Sequence, residues 1–207
     1  QTPLNGTLTA LRSVEMSVYR QSRLTLTVSG ADRAAVLAAL TETSDGNASS
    51  NPAVLVAPFG ANALADGAVT PLALRVPGRM LYVGTCHPVA KAGVAWMLRE
   101  VMPSLIRRAA DAKLNPSFVL VGNGWAALSS EPSFKKWVDL GVLVIRGKLG
   151  VDELRQEYEN ACLFVAPVRN ATGIATKNFH AMGMGIPLLT TSCLLYTSDA
   201  ADDSLRV

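Results

Sequence analysis

Arg169, Gly173 and Lys177 follow one another at intervals of four residues, a spacing that suits an anion. They straddle the passage from a strand-like run to a helical one. Cys162 to Val165 is short, apolar and β-prone, as a strand buried on both faces should be. Pro167 ends it, and Val168 to Gly173 has no helical period. A helix is expected from near Ile174 to Gly183 and Gly185, where glycine can take the left-handed C-terminal conformation. Ile186 to Thr191 resumes as a buried strand. A loop that leaves a parallel strand and feeds a helix presents free N–H groups and the positive end of the helix dipole. Lys177, one turn into that helix, adds a full charge, and a diphosphate is the natural guest. Arg169 either clamps a phosphate or braces the loop through carbonyl hydrogen bonds. Gly173 lets backbone approach the ligand, whereas Gly185 reads as a turn.

Other elements must bring partners to this loop. Met80 to Gly84, Ser117 to Val121 and Val142 to Ile145 read as strands, the first two closing on Gly84 and Gly122 and the third running to Gly147. Between them lie a long helix over Ala90 to Ala110, which Pro103 kinks or splits, and shorter helices over Ser133 to Leu140 and Asp152 to Ala161. Alternation of strands and helices implies right-handed crossovers and a doubly wound parallel sheet, an α/β Rossmann-like architecture. The loops at Gly84, Gly122, Gly147 and Pro167 should then share one edge, where such sheets bind ligands. Upstream, a helix with Leu11, Val14, Val18 and Tyr19 on one stripe leads to a strand from Leu24 to Val28. Ser29 to Asp32 then caps a helix over Arg33 to Leu40, and Ala53 to Ala57 is another strand.

Composition narrows the possibilities. Of 207 residues, 49% are hydrophobic and 17% charged, which describes a globular chain rather than a disordered one. A net charge of +3, scattered along the chain, does not argue for a nucleic-acid partner. No apolar run is long enough to cross a bilayer, and other membrane association is left open. Three cysteines and two histidines supply neither a disulfide framework nor metal-ligand spacing, so no metal site is expected. No base is placed for Thr191 or Ser192, which excludes a Ser-His-Asp argument.

The run from Pro167 to Thr191 resembles the sugar-nucleotide loop of group 1 (family 4) glycosyltransferases of the GT-B fold. Pro167, Arg169, Gly173, Lys177, Ala181, Gly185, Pro187, Thr190 and Thr191 stand in register with that pattern. His180 and Thr172 stand where it usually carries glutamates. Glu15, Tyr19, Val28, Ser29 and Asp32 resemble the last helix and strand of such proteins' N-terminal domain. The resemblance implies a GT-B organisation: residues 1–60 as a remnant of the acceptor-side domain, 61–78 as linker and 79–192 as the nucleotide-sugar-binding domain. Residues 193–207 resemble a translated sequencing adapter and are expected to be non-native. It also implies transfer of a sugar, with retention and without a metal, from a nucleoside diphosphate sugar to an unknown glycan, lipid or protein acceptor. Lys177 and Arg169 would act on the leaving diphosphate, with Gly84, Lys91, Gly147, Thr172, Gly173 and His180 around the donor. No cofactor beyond the donor is expected. The compartment is left open, with the cytoplasm favoured, and the fragment itself is expected not to turn over. A catalytically degenerate sugar-nucleotide-binding domain and an unrelated doubly wound regulatory domain stay open as alternatives.

Overall fold

The structure, a computed structural model, describes residues 3–42, 52–57, 69–169 and 176–191, with backbone alone for residues 3–8 and 42. Thr172, Gly173 and the tail from residue 193 lie outside the described residues. The chain divides into two compact units, Gln1–Phe59 and Gly60–Val207.

In the first unit, α1 (Pro3–Gln21), β1 (Leu24–Thr27), α2 (Gly30–Glu42) and β2 (Ala53–Val56) follow in order. The two strands pair in parallel, Leu24 with Ala53 through Thr27 with Val56. The Ser29 hydroxyl accepts the Asp32 N–H at 3.0 Å and donates to the Asp32 carboxylate at 2.8 Å, so α2 begins at a side-chain cap. Its small core gathers Met16, Leu40 and Val54, with Tyr19, Val36 and Leu37 against them. The expected stripe on α1 is covered only in part. Leu11, Val14 and Val18 are about 60% exposed, whereas Tyr19 packs inward as expected, beside Met16. Helical spacing shows that one face is apolar, but a two-stranded sheet with a single helical neighbour selects which part of that face is covered.

The second unit is a five-stranded, wholly parallel sheet in the order β5-β4-β3-β6-β7. Its elements are β3 (Val76–Val83), α3 (Pro88–Trp96), α4 (Met102–Asp111), β4 (Ser117–Val121) and α5 (Pro132–Asp139). They continue as β5 (Leu143–Gly147), α6 (Val151–Asn160), β6 (Ala161–Ala166), α7 (Thr176–Gly183) and β7 (Leu188–Thr190). Continuous apolar runs mark the central strands. Met80 to Tyr82, Phe118 to Val121 and Phe164 to Ala166 are all buried. The chain moves outward from β3 to β4 and β5, then returns to place β6 on the other side of β3. The order therefore reverses between β3 and β6, where their C-terminal ends open a crevice.

The start of β3 and the stretch before it depart from expectation, while the long helix breaks at Pro103 as expected. β3 starts at Val76 rather than near Met80. Pro77 and Gly78, the latter at φ +76°, hide its pattern, and the register shifts between Val76 and Met80. The long helix is split. Pro103 has no N–H to offer the Arg99 carbonyl, and Met97–Val101 widens into a π turn closed by the Met102 N–H on the Met97 carbonyl. Arg75, in a stretch with no clean period, is buried and donates to the carbonyls of Thr70 (3.1 Å), Tyr158 (2.8 Å), Ala161 (2.9 Å) and Met184 (2.7 Å). One guanidinium thus ties the end of α6, the start of β6 and the turn after α7 to the base of β3. That last turn follows its glycine as expected. Gly185 sits at φ +65°, with its N–H on the Met182 carbonyl and the Ile186 N–H on the Ala181 carbonyl.

Candidate functional site

Parallel pairing carries the post-strand loops to one edge, and backbone hydrogen bonds lock them there. The Gly84 N–H donates to the Val121 carbonyl at 2.9 Å, and the Gly122 N–H donates to the Gly147 carbonyl at 2.7 Å. Gly122 has φ +138°, and a Cβ there would sit 2.1 Å from the Gly84 carbonyl oxygen, so only glycine fits. Trp125, fully buried, donates its indole N–H to the Gly84 carbonyl at 2.6 Å. The loops after β3, β4 and β5 therefore form one rigid rim.

The loop after β6 is fastened to the same rim. Gly93 on α3 approaches so closely that an added Cβ would lie 2.1 Å from the Pro167 carbonyl oxygen. The Thr191 hydroxyl donates to the Val168 carbonyl from the end of β7. α7 then returns Lys177 to the crevice. Its Nζ lies 3.1 Å from the Tyr82 hydroxyl, 4.8 Å from the centre of that ring, and 3.1 Å from the place a Gly84 Cβ would occupy. Burial lowers the Lys177 amine below the ordinary lysine range. Burial also pushes the Tyr82 phenol up to about 12, so it stays neutral at ordinary pH.

Lys177 and Gly84 are thus brought together across the switch point. Gly147 ends β5 at φ +68° on the same rim, with its carbonyl taken by Gly122. His180 lies one turn beyond Lys177 on α7, half-buried. The two other cations have partners of their own. The Lys91 amine pairs with the Glu131 carboxylate at 2.6 Å. The exposed Arg169 guanidinium lies over the Trp96 ring, 5.5 Å from its centre. With Val89, Ala92 and Gly93 it borders a hollow of about 270 Å³. His87 caps α3, its ring nitrogen 3.4 Å from the Ala90 N–H. Trp137 is core, whereas Trp96 is half-buried and presents its face to Arg169. Tyr82, Gly93 and Trp125 were not legible as site residues. Each acts through a contact with a distant stretch of chain, and no local pattern announces such a contact.

The rim can receive an anion. A half-buried ammonium stands beside the Gly84 turn, whose backbone is bonded to the end of β4. Among the described residues no group of three or more His, Cys, Asp or Glu could hold a metal ion.

Residues 77–203 match the family model of the glycosyl transferases group 1. The chain belongs to that family. Over 117 residues this group 1 chain is 28% identical to an uncharacterized 44.6 kDa protein in the cps region of Klebsiella pneumoniae, which covers 55% of the chain and 29% of the relative. Among solved structures, TarM superposes with a TM-score of 0.60 at 11% identity, over 92% of this chain and 33% of TarM. The pneumococcal O-GlcNAc transferase GtfA, solved with UDP and GlcNAc, gives 0.61 at 14% identity over 86% of this chain and 32% of its own. Anabaena Alr3699/HepE, solved with UDP and glucose, gives 0.56 at 13% identity over 95% and 50%. These identities speak for the fold alone, and the fold is GT-B: α/β, with parallel Rossmann-like sheets. The chain spans about a third of the length of TarM and GtfA and 29% of the Klebsiella relative. No described helix is long and apolar enough to cross a membrane.

Proposed function

We propose that the protein is a glycosyltransferase that moves a sugar from a nucleoside diphosphate sugar to a glycan, lipid or protein acceptor, with retention and without a metal. The observation that carries this reading is the Lys177 amine beside Gly84 at the switch point of the sheet. Glycosyl transfer asks little covalent work of the protein. As the anomeric carbon becomes oxocarbenium-like, negative charge builds on the departing diphosphate, and a positioned cation with backbone N–H groups stabilises it. A half-buried ammonium does this better than an exposed one, because less water screens it. Arg169 adds a second cation after β6, on the rim of its own hollow, and Gly84 lets the donor's phosphates approach the backbone. Thr172, Gly173, Gly147 and His180 are assigned to the sugar and nucleoside, and Lys91 to the outer phosphate once it leaves Glu131. Two of the structural relatives were solved with UDP, which makes UDP the first probe. Of that reading, donor binding is the part we assign to the residues of this chain.

The test is calorimetric titration of UDP into the chain and into Lys177→Ala. Loss of a charge-assisted contact should weaken binding about tenfold to a hundredfold. Equal affinities would remove Lys177 from the site and the enzymatic reading with it. Chelator should leave UDP affinity unchanged, and a longer protein containing this chain should release product with the donor's anomeric configuration.

A further inference from the structure

We infer that Tyr82 is a positioning residue for Lys177, its phenol oxygen and ring holding the ammonium over Gly84 in the orientation that meets the leaving diphosphate. The inference rests on the diphosphate role proposed above for Lys177.

Tyr82 is fully buried in the central strand β3, among Met80, Leu81 and other core positions where an aliphatic residue would suffice for packing. A buried hydroxyl needs a partner. Here it accepts from Lys177 Nζ at 3.1 Å, from an element 95 residues further along the chain. The ring lies beneath the same nitrogen, 4.8 Å from its centre. Trp125 fixes the ring in turn. It meets Tyr82 edge to face, centroids 5.7 Å apart and planes at 86°, while its indole N–H holds the Gly84 carbonyl. The amine is therefore held from β3 by two neutral groups. Among the described residues no carboxylate pairs with it.

The choice of a phenol matters chemically. A carboxylate at this point would orient the amine but cancel its charge. A phenol that stays neutral uses one of the three ammonium N–H groups and leaves two, with the full charge, for an anion. The absent side chain at Gly84 leaves the room. A Cβ there would stand 3.0 Å from the Tyr82 oxygen and 3.1 Å from Nζ, tighter than ordinary contact.

Other titratable groups belong to the surrounding elements. They are Cys86 in the loop after β3, the Lys91–Glu131 pair, Arg169 after β6 and His180 on α7. All are common to the variants below, so they cancel in comparisons between them. Above about pH 7 a terminal phosphate is fully ionised, and the lysine ammonium is the form that binds. Affinity is therefore kept at the lower end of the range and lost as pH rises through the Lys177 transition. A hydroxyl that accepts from the ammonium favours the charged form, so its removal moves that loss to lower pH.

The experiment titrates UDP into the full chain, Tyr82→Phe, Lys177→Ala and the double variant, from about pH 7 to pH 10. Tyr82→Phe should weaken UDP roughly three- to tenfold and shift the fall in affinity to lower pH. In the Lys177→Ala background the same change should be neutral within about twofold. An equal effect of Tyr82→Phe with and without Lys177, or an unmoved pH midpoint, would show a packing role and overturn the inference. If Lys177→Ala weakens UDP and Tyr82→Phe does not, the inference alone fails. If Lys177→Ala changes nothing, the donor reading fails first and this inference with it.

Discussion

At the scale of single residues, what matters is which cations are already engaged. Four charged side chains of the second unit look alike in sequence and differ in their surroundings. Among the described residues Lys177 meets the neutral Tyr82, Arg169 lies on an indole face, Lys91 is paired with Glu131, and Arg75 is buried among carbonyls. Their substitutions should therefore separate. Arg75→Ala strands several buried carbonyls at once and is expected to cost roughly 3 kcal/mol or more, read as a lowered urea midpoint. Lys91→Ala removes a part-exposed pair whose contribution is about 1 kcal/mol at most. A change in midpoint for Lys91→Ala as large as that for Arg75→Ala would contradict this ranking.

At the scale of elements, the site depends on close backbone approach. α3 reaches the loop after β6 only because Gly93 has no side chain, with the Pro167 carbonyl in the way of any Cβ. Gly93→Ala must therefore move a helix or a loop, not merely a flexible side chain. It should cost about 2–4 kcal/mol and weaken UDP as well, because the displaced loop leads into α7 and Lys177. Denaturation and calorimetry on the same sample check both effects, and a Gly93→Ala protein with parental stability would show that the two elements can separate freely. The π turn at Met97–Val101 belongs to this scale too. The sequence shows the proline that interrupts the helix, but whether a helix bends, breaks or widens depends on what its buried residues, here Met97, Leu98 and Met102, must reach.

At the scale of the molecule, the two units differ in how much they bury. The second contains a continuous core running through all five strands, whereas that of the first is a handful of side chains beneath a two-stranded sheet. Native-state hydrogen exchange should accordingly find the deepest protection at Leu81, Val119, Leu120 and Phe164, and far shallower protection in β1 and β2. Equal protection in the two units would refute the expectation. The alternation of strands with helices, the glycines that end β3, β4 and β5 and the cap at Ser29 were legible in the sequence, because hydrophobic period and backbone preference are local properties. Together they determined a doubly wound sheet and the edge to which its loops go. Tertiary structure alone decided that Tyr82 lies under Lys177, that Gly93 touches Pro167, that Glu131 takes Lys91 and that Arg75 gathers carbonyls from three elements. Each of these joins residues tens of positions apart, and such a contact exists only after the crossovers have closed the sheet. The chain's local chemistry specifies which groups are available, and packing specifies which of them meet.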